Sequence, residues 1–145
     1  SVPLNNETKL DLSNQNFSYI YSNLFDKHVI NHRLIQLDLS SNCLTHLNQD
    51  DLFQNLKSLK YLNLSFNKIE LLSKSLFMNL VWLEHLDLSS NRIKDIDIGL
   101  FASLKRLTLL DLSSNRLHSI YENRFKNLTY LEELNLSFNQ IEYIE

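Results

Sequence analysis

The chain has 145 residues, with 14 basic against 17 acidic side chains and a formal net charge of −3. That length makes one domain with room for a real core, and so mild a charge does not imply a nucleic-acid partner, which would want a concentrated basic stripe. One glycine (Gly99) and one proline (Pro3) stand where an average chain would carry about ten and seven, which excludes glycine-rich phosphate loops and dinucleotide folds.

The first residues, Ser1-Val2-Pro3-Leu4, carry no charged-then-apolar signal segment, so none was needed or it has been removed. Apolar residues never run for the roughly 18 positions of a membrane span. A frame of spaced apolar residues opens at Glu7, with Leu10, Leu12, Gln15, Phe17 and Ile20 in register. It returns complete as Leu34, Leu37, Leu39, Asn42, Leu44 and Leu47, and next as Leu59, Leu62, Leu64, Asn67, Ile69 and Leu72. Further copies run Leu83, Leu86, Leu88, Asn91, Ile93, Ile96, then Leu107, Leu110, Leu112, Asn115, Leu117, Ile120, and last Leu131, Leu134, Leu136, Asn139, Ile141, Ile144. Starts at 7, 34, 59, 83, 107 and 131 are separated by 27, 25, 24, 24 and 24 residues, an internal period that decides the fold.

In Leu37-Asp38-Leu39 apolar residues alternate with polar ones, the mark of a short strand with one buried face. Six parallel strands are expected on one concave sheet, centred near 10–12, 37–39, 62–64, 86–88, 110–112 and 134–136. Between the frames, Phe25, Phe53, Phe77, Phe101 and Phe125 fall at equivalent places, and Leu56, Leu80, Leu104 and Leu128 each follow three residues after the last four. These predict a second inward row on the convex side. Helical periodicity is poor there, so short turns and irregular segments are expected, not full helices. Three extra residues between Phe25 and Leu34, and one before Phe53, map to loops. The final repeat stops at Glu145 without its convex half and is read as truncated, within a single domain spanning 1–145.

Asn42, Asn67, Asn91, Asn115 and Asn139 fall where each strand turns away from the sheet. A buried amide both donates and accepts, so these residues predict a ladder that satisfies backbone groups and takes over the work of glycine. Gln15 departs from the pattern, and its longer arm is tolerated in an end coil.

The pattern LxxLxLxxNxLxxL followed by FxxLxxL, carried from about Glu7 to Ile144, resembles the typical 24-residue class of leucine-rich repeat. Runs such as Leu-Asp-Leu-Ser-Ser-Asn (37–42, 86–91, 110–115) and Leu-Asn-Leu-Ser-Phe-Asn (62–67, 134–139) are similar to those of extracellular animal members of that family. Toll-like receptor ectodomains, insect immune repeat proteins, small proteoglycans and neuronal adhesion receptors belong there. The resemblance implies an α/β-type solenoid, a horseshoe fragment with a six-stranded parallel concave sheet and a mostly irregular convex side. It also implies a non-enzymatic protein–protein recognition module, extracellular or at the cell surface, with a protein ligand or co-receptor on the concave face. A structural or dimerisation segment of a larger repeat protein, self-associating through uncapped ends, is the alternative, and an intracellular scaffold is a third. Extracellular members usually carry disulfide-bonded caps at each end, and both are missing here. The lone Cys43, placed near the surface, has no intrachain partner. The chain is therefore an excised piece of a longer ectodomain or lives in a reducing compartment, and the former is expected.

Motifs that carry chemistry are scarce. His28 and His32 are four apart but lack the glutamate of an H-E-x-x-H site, and one cysteine cannot form a C-x-x-C knuckle. A G-x-S-x-G elbow needs two glycines. No enzyme, metal or cofactor is expected. Five N-x-S/T sequons mark Asn6, Asn16, Asn63, Asn127 and Asn135 as glycosylation candidates, although an Asn- and Ser-rich repeat generates such triplets by accident.

Outward positions on the strands form columns. Asp11, Asp38, Asn63, Asp87, Asp111 and Asn135 are nearly constant, as are Ser13, Ser40, Ser65, Ser89, Ser113 and Ser137, which reads as scaffold. Lys9, Gln36, Tyr61, His85, Leu109 and Glu133 vary, and a repeat protein discriminates partners where its repeats differ. The expected partner-binding set is Tyr61, His85 and Leu109 at the centre, with Gln36, Asp87, Asp111 and Glu133 around them. Phe66 and Phe138 flank the strand ends and are expected to pack on neighbouring turns.

Overall fold

The computed structural model describes residues 8–25 and 33–145. Six three-residue strands, β1 (Lys9–Asp11), β2 (Gln36–Asp38), β4 (Tyr61–Asn63), β6 (His85–Asp87), β7 (Leu109–Asp111) and β9 (Glu133–Asn135), pair in that order as one parallel sheet. The register is the one the repeat dictates: Leu37 sits beside Leu62, Leu62 beside Leu86, and Leu86 beside Leu110. Elements among the described residues are strands, turns and two 3-10 turns, Ser22–Phe25 and Glu122–Arg124, with no α-helix. The expected class thus narrows to a β-solenoid.

Each strand lies one residue earlier than its expected centre. The cause is local. The last strand residue is always Asp or Asn, and its Oδ1 accepts the backbone N–H of the serine two residues on, at 2.8–3.1 Å in all six coils. Such an Asx turn bends the chain at once. The third frame leucine therefore begins the bend, although its N–H still reaches the neighbouring coil, as from Leu64 to the Asp87 carbonyl at 2.8 Å.

The asparagine ladder is present as expected. Asn91 Nδ2 donates to the carbonyls of Leu64, Leu88 and Ser89 at 3.0–3.1 Å, and its Oδ1 accepts from Ile69 N–H at 3.0 Å. Asn67, Asn115 and Asn139 repeat these four bonds coil by coil. Asn42 caps the irregular first coil by accepting from both Gln15 and Phe17 N–H. Gln15 itself reaches no further than the Ser13 carbonyl. The asparagines hold the bend, but the strained backbone belongs to the residue before them. Ser41, Phe66, Ser90, Ser114 and Phe138 have φ of 53–56°, a left-handed conformation more usual for glycine.

On the opposite side, FxxLxxL folds into consecutive i→i+3 turns: Leu80 N–H bonds the Phe77 carbonyl and Leu83 N–H the Leu80 carbonyl, both at 3.0 Å, and each later coil repeats them. A three-residue turn eclipses side chains three apart, so Phe and both leucines share one inward face. The phenylalanine rings follow one another at 6.0–6.5 Å between centroids. Short parallel pairs, β3 (His46–Leu47) with β5 (Leu71–Leu72) and β8 (Ser119–Ile120) with β10 (Tyr143–Ile144), make the side away from the main sheet more regular than expected. The core is continuous: frame leucines and phenylalanines of the inner coils are almost wholly removed from solvent. No coil could bury this surface by itself.

Candidate recognition surface

Because side chains alternate along a strand, the four inner strands bury their middle leucine and turn their first and third residues outward, while Leu10 and Leu134 on the edge strands stay partly exposed. Register pairing then lines up the first residues as Gln36, Tyr61, His85, Leu109 and Glu133 on adjacent strands. The Tyr61 and His85 rings meet edge-to-face, 4.7 Å between centroids and 81° between planes. A shallow depression of about 210 Å³ opens over them, lined also by Gln36, Asp38, Asn63, Asp87 and Leu109. Five of the seven expected binding residues therefore converge. Asp111 and Glu133 do not line the depression and continue the two columns on the next strands.

Asp38 and Asn63 line it as well, though of their column only Asp87 and Asp111 were expected to bind. The signal that would have found them is geometric: the first and third residues of one strand share a face. Their role as scaffold is also visible. Asn63 Oδ1 accepts from both N–H and Oγ of Ser65, while its Nδ2 donates to Asp38 Oδ2 at 3.5 Å. Asn135 repeats this with Ser137 and Asp111. Asp87 Oδ1 accepts from Ser89 N–H, and among the described residues its Oδ2 receives no hydrogen bond. At the edge, the hydroxyl and N–H of Ser13 bond the Asp11 carboxylate and hold its pKa below 3.8, against the small opposing effect of burial.

Other expected residues lie elsewhere. Phe66 and Phe138 do not pack on neighbouring turns: they are 63% and 85% exposed. The left-handed backbone directs them off the coil, which the sequence pattern alone does not reveal. Asn16 is exposed at the bend that follows edge strand β1, and its Oδ1 accepts from the half-buried thiol of Cys43 at 3.3 Å. Asn127 is half-buried on the convex turn beside exposed Thr129. Asn6, His28 and His32 lie outside the described residues. One surface feature was missed. Arg106 stacks on Trp82 at 3.8 Å, over a second depression of about 550 Å³ lined by Val81, Trp82, Ala102, Ser103 and Lys105. Its signal was the aligned set Ser58, Trp82, Arg106 and Tyr130, which varies from coil to coil as the concave column does.

The leucine rich repeat family matches residues 49–93 and 82–141, most of the chain. The chain belongs to the leucine-rich repeat family. Among solved structures, its repeats are similar to those in the crystal structure of a TLR13–ssRNA13 complex, at 31% identity and a TM-score of 0.86. That match covers 94% of this chain and 19% of the other, so the repeats described here span about a fifth of that length. The likeness supports the resemblance to Toll-like receptor ectodomains. No curated protein matches the chain significantly. No helix among the described residues of this leucine-rich repeat chain is long and apolar enough to cross a membrane.

Proposed function

We propose that the chain is a non-enzymatic recognition module that binds a protein ligand or co-receptor on its concave sheet face, as part of an extracellular or cell-surface receptor. The observation that carries this reading is the convergence of Gln36, Tyr61, His85, Asp87 and Leu109 on one depression, built from three-residue strands that leave the surrounding scaffold uniform. Aromatic side chains in a concavity are favoured anchors because they bury much area for little lost entropy. Asp111 and Glu133 extend the surface along the stack.

The proposed location draws on the likeness to the TLR13 structure and on the sequons. Exposed Asn16 is the best-placed acceptor among the described residues, with Asn127 second and Asn6 a further candidate. Asn63 and Asn135 are the poorest, since their amides are engaged in Asx turns and cross-strand bonds. An unmodified Asn63 leaves Tyr61 accessible on the same strand. Glycopeptide mapping of native material is expected to find glycan at Asn16 and none at Asn63. Glycan on Asn63 would cover the depression and move the binding surface to another face. For the surface itself, a photo-crosslinking residue at His85 is expected to form partner adducts that the same residue at exposed Lys94, away from the main sheet, does not. Adducts from Lys94 alone would remove the concave reading.

Self-association is a second reading, favoured by exposed Val81 and Trp82 beside Arg106. Sedimentation of the parent protein at rising concentration, compared with its Trp82→Ala variant, separates the two.

A further inference from the structure

We propose that the occupant of the concave depression is a positively charged segment of the protein partner, with an Arg or Lys side chain seated between Asp38 and Asp87 against the Tyr61–His85 pair. This rests on the concave reading above and names the chemistry of its ligand. The outward positions of the six strands hold five carboxylates (Asp11, Asp38, Asp87, Asp111 and Glu133) against one ammonium, Lys9, on the edge strand β1. That excess of four negative charges is larger than the whole chain's −3, so the remainder of the molecule is slightly positive. Two nearby basic side chains are engaged elsewhere: Lys60 is bridged to Glu84 at 3.0 Å and Arg92 approaches Glu70 at 3.7 Å, and neither lines the depression. A concave surface lined by one sign of charge focuses its field on the space it encloses.

Local chemistry suits a cation more closely than charge alone requires. Asp87 keeps one carboxylate oxygen without a hydrogen-bond donor among the described residues, and Asp38 Oδ2 has only the long 3.5 Å contact from Asn63. A guanidinium donates to two such oxygens and stacks on an aromatic face, here Tyr61, in one placement. A phosphate backbone would meet repulsion at five points along the same face. A nucleic acid is therefore the disfavoured occupant.

The test exploits the sequence's own variation. Asn63 and Asn135 occupy the same column as Asp38 and Asp87 and make the same Asx turn, so Asp38→Asn and Asp87→Asn remove charge without removing the bend. Each change also writes an N-x-S triplet, so the protein is produced in a host that does not glycosylate. A random dodecapeptide library is selected on the chain, and a single-stranded uridine oligonucleotide is titrated in parallel. Recovered peptides are expected to be rich in Arg and Lys, to need Tyr61 and His85, and to bind about tenfold more weakly to the Asp38→Asn/Asp87→Asn variant, with affinity falling as salt rises. Neutral or acidic peptides that still need Tyr61 and His85 would overturn the charge inference and leave the concave reading standing. Peptides indifferent to all four residues, or no recovered peptide, would overturn both. Oligonucleotide binding that depends on Tyr61 would replace the proposed partner class.

Discussion

Two regions of each coil follow different rules: the asparagine at the bend and the first residue of the strand. At the bend, Asn67, Asn91, Asn115 and Asn139 make the same four hydrogen bonds in successive coils, two within their own coil and two to the coil before. On the concave face, six residues earlier in the same coils, Gln36, Tyr61, His85 and Leu109 share a register but not a chemistry. Uniformity in the first region is required by unpaired backbone groups, which are costly when buried. Variation in the second is permitted because nothing in the coil depends on those side chains. A solenoid thus separates the residues that hold it together from those free to discriminate a partner.

The sharpest way to break that separation is to attack the ladder. Asn91→Ala strands the Ile69 N–H and takes one donor from each of three carbonyls that keep a second, so denaturant titration is expected to show a loss of about 1–3 kcal/mol. Gln15→Ala, which removes a single exposed bond to Ser13, is expected to cost less. Equal, negligible losses would show that the ladder is not what holds the coils. A smaller effect of opposite sign is expected at the bend. Phe66 is exposed with φ of 53°, whereas Asn14 and Asn16 adopt similar angles at 55° and 57°. Phe66→Asn is therefore expected to raise stability by about 1 kcal/mol. The smallest concerns Asp11. Its folded pKa is lowered, so its contribution to stability is present above the ordinary carboxylate pKa and is lost as pH falls through the folded value. Ser13→Ala removes the first cause of the shift, and an NMR titration is expected to place Asp11 closer to 3.8.

Much of this architecture was written in spacing. Leu37, Leu39, Asn42 and Leu44 recur because one coil's inward points must meet the next coil's, and that demand is periodic. The three-residue spacing of Phe77, Leu80 and Leu83 likewise marks consecutive i→i+3 turns that a 3.6 period would miss. Strand limits were less legible, since the bond that Ser40 N–H donates to the Asp38 carboxylate ends the strand before the third frame leucine. The exposure of Phe66 and Phe138 was hidden too, because aromatic identity says nothing of a left-handed φ. At the candidate surface, adjacency of Tyr61, His85 and Leu109 followed from the repeat, but the edge-to-face contact and the inclusion of Asp38 needed coordinates. Trp82 and Arg106 come together across two coils because they share a frame position, but their stacking needed coordinates.

The most direct test of the division between scaffold and recognition face is the affinity of a Tyr61→Ala/His85→Ala variant for the protein partner, measured alongside its unfolding midpoint. Neither side chain holds the coil, so the account predicts binding weakened by about 2 kcal/mol or more with stability nearly unchanged. Unchanged affinity, or a loss of binding that merely follows a loss of stability, would contradict it.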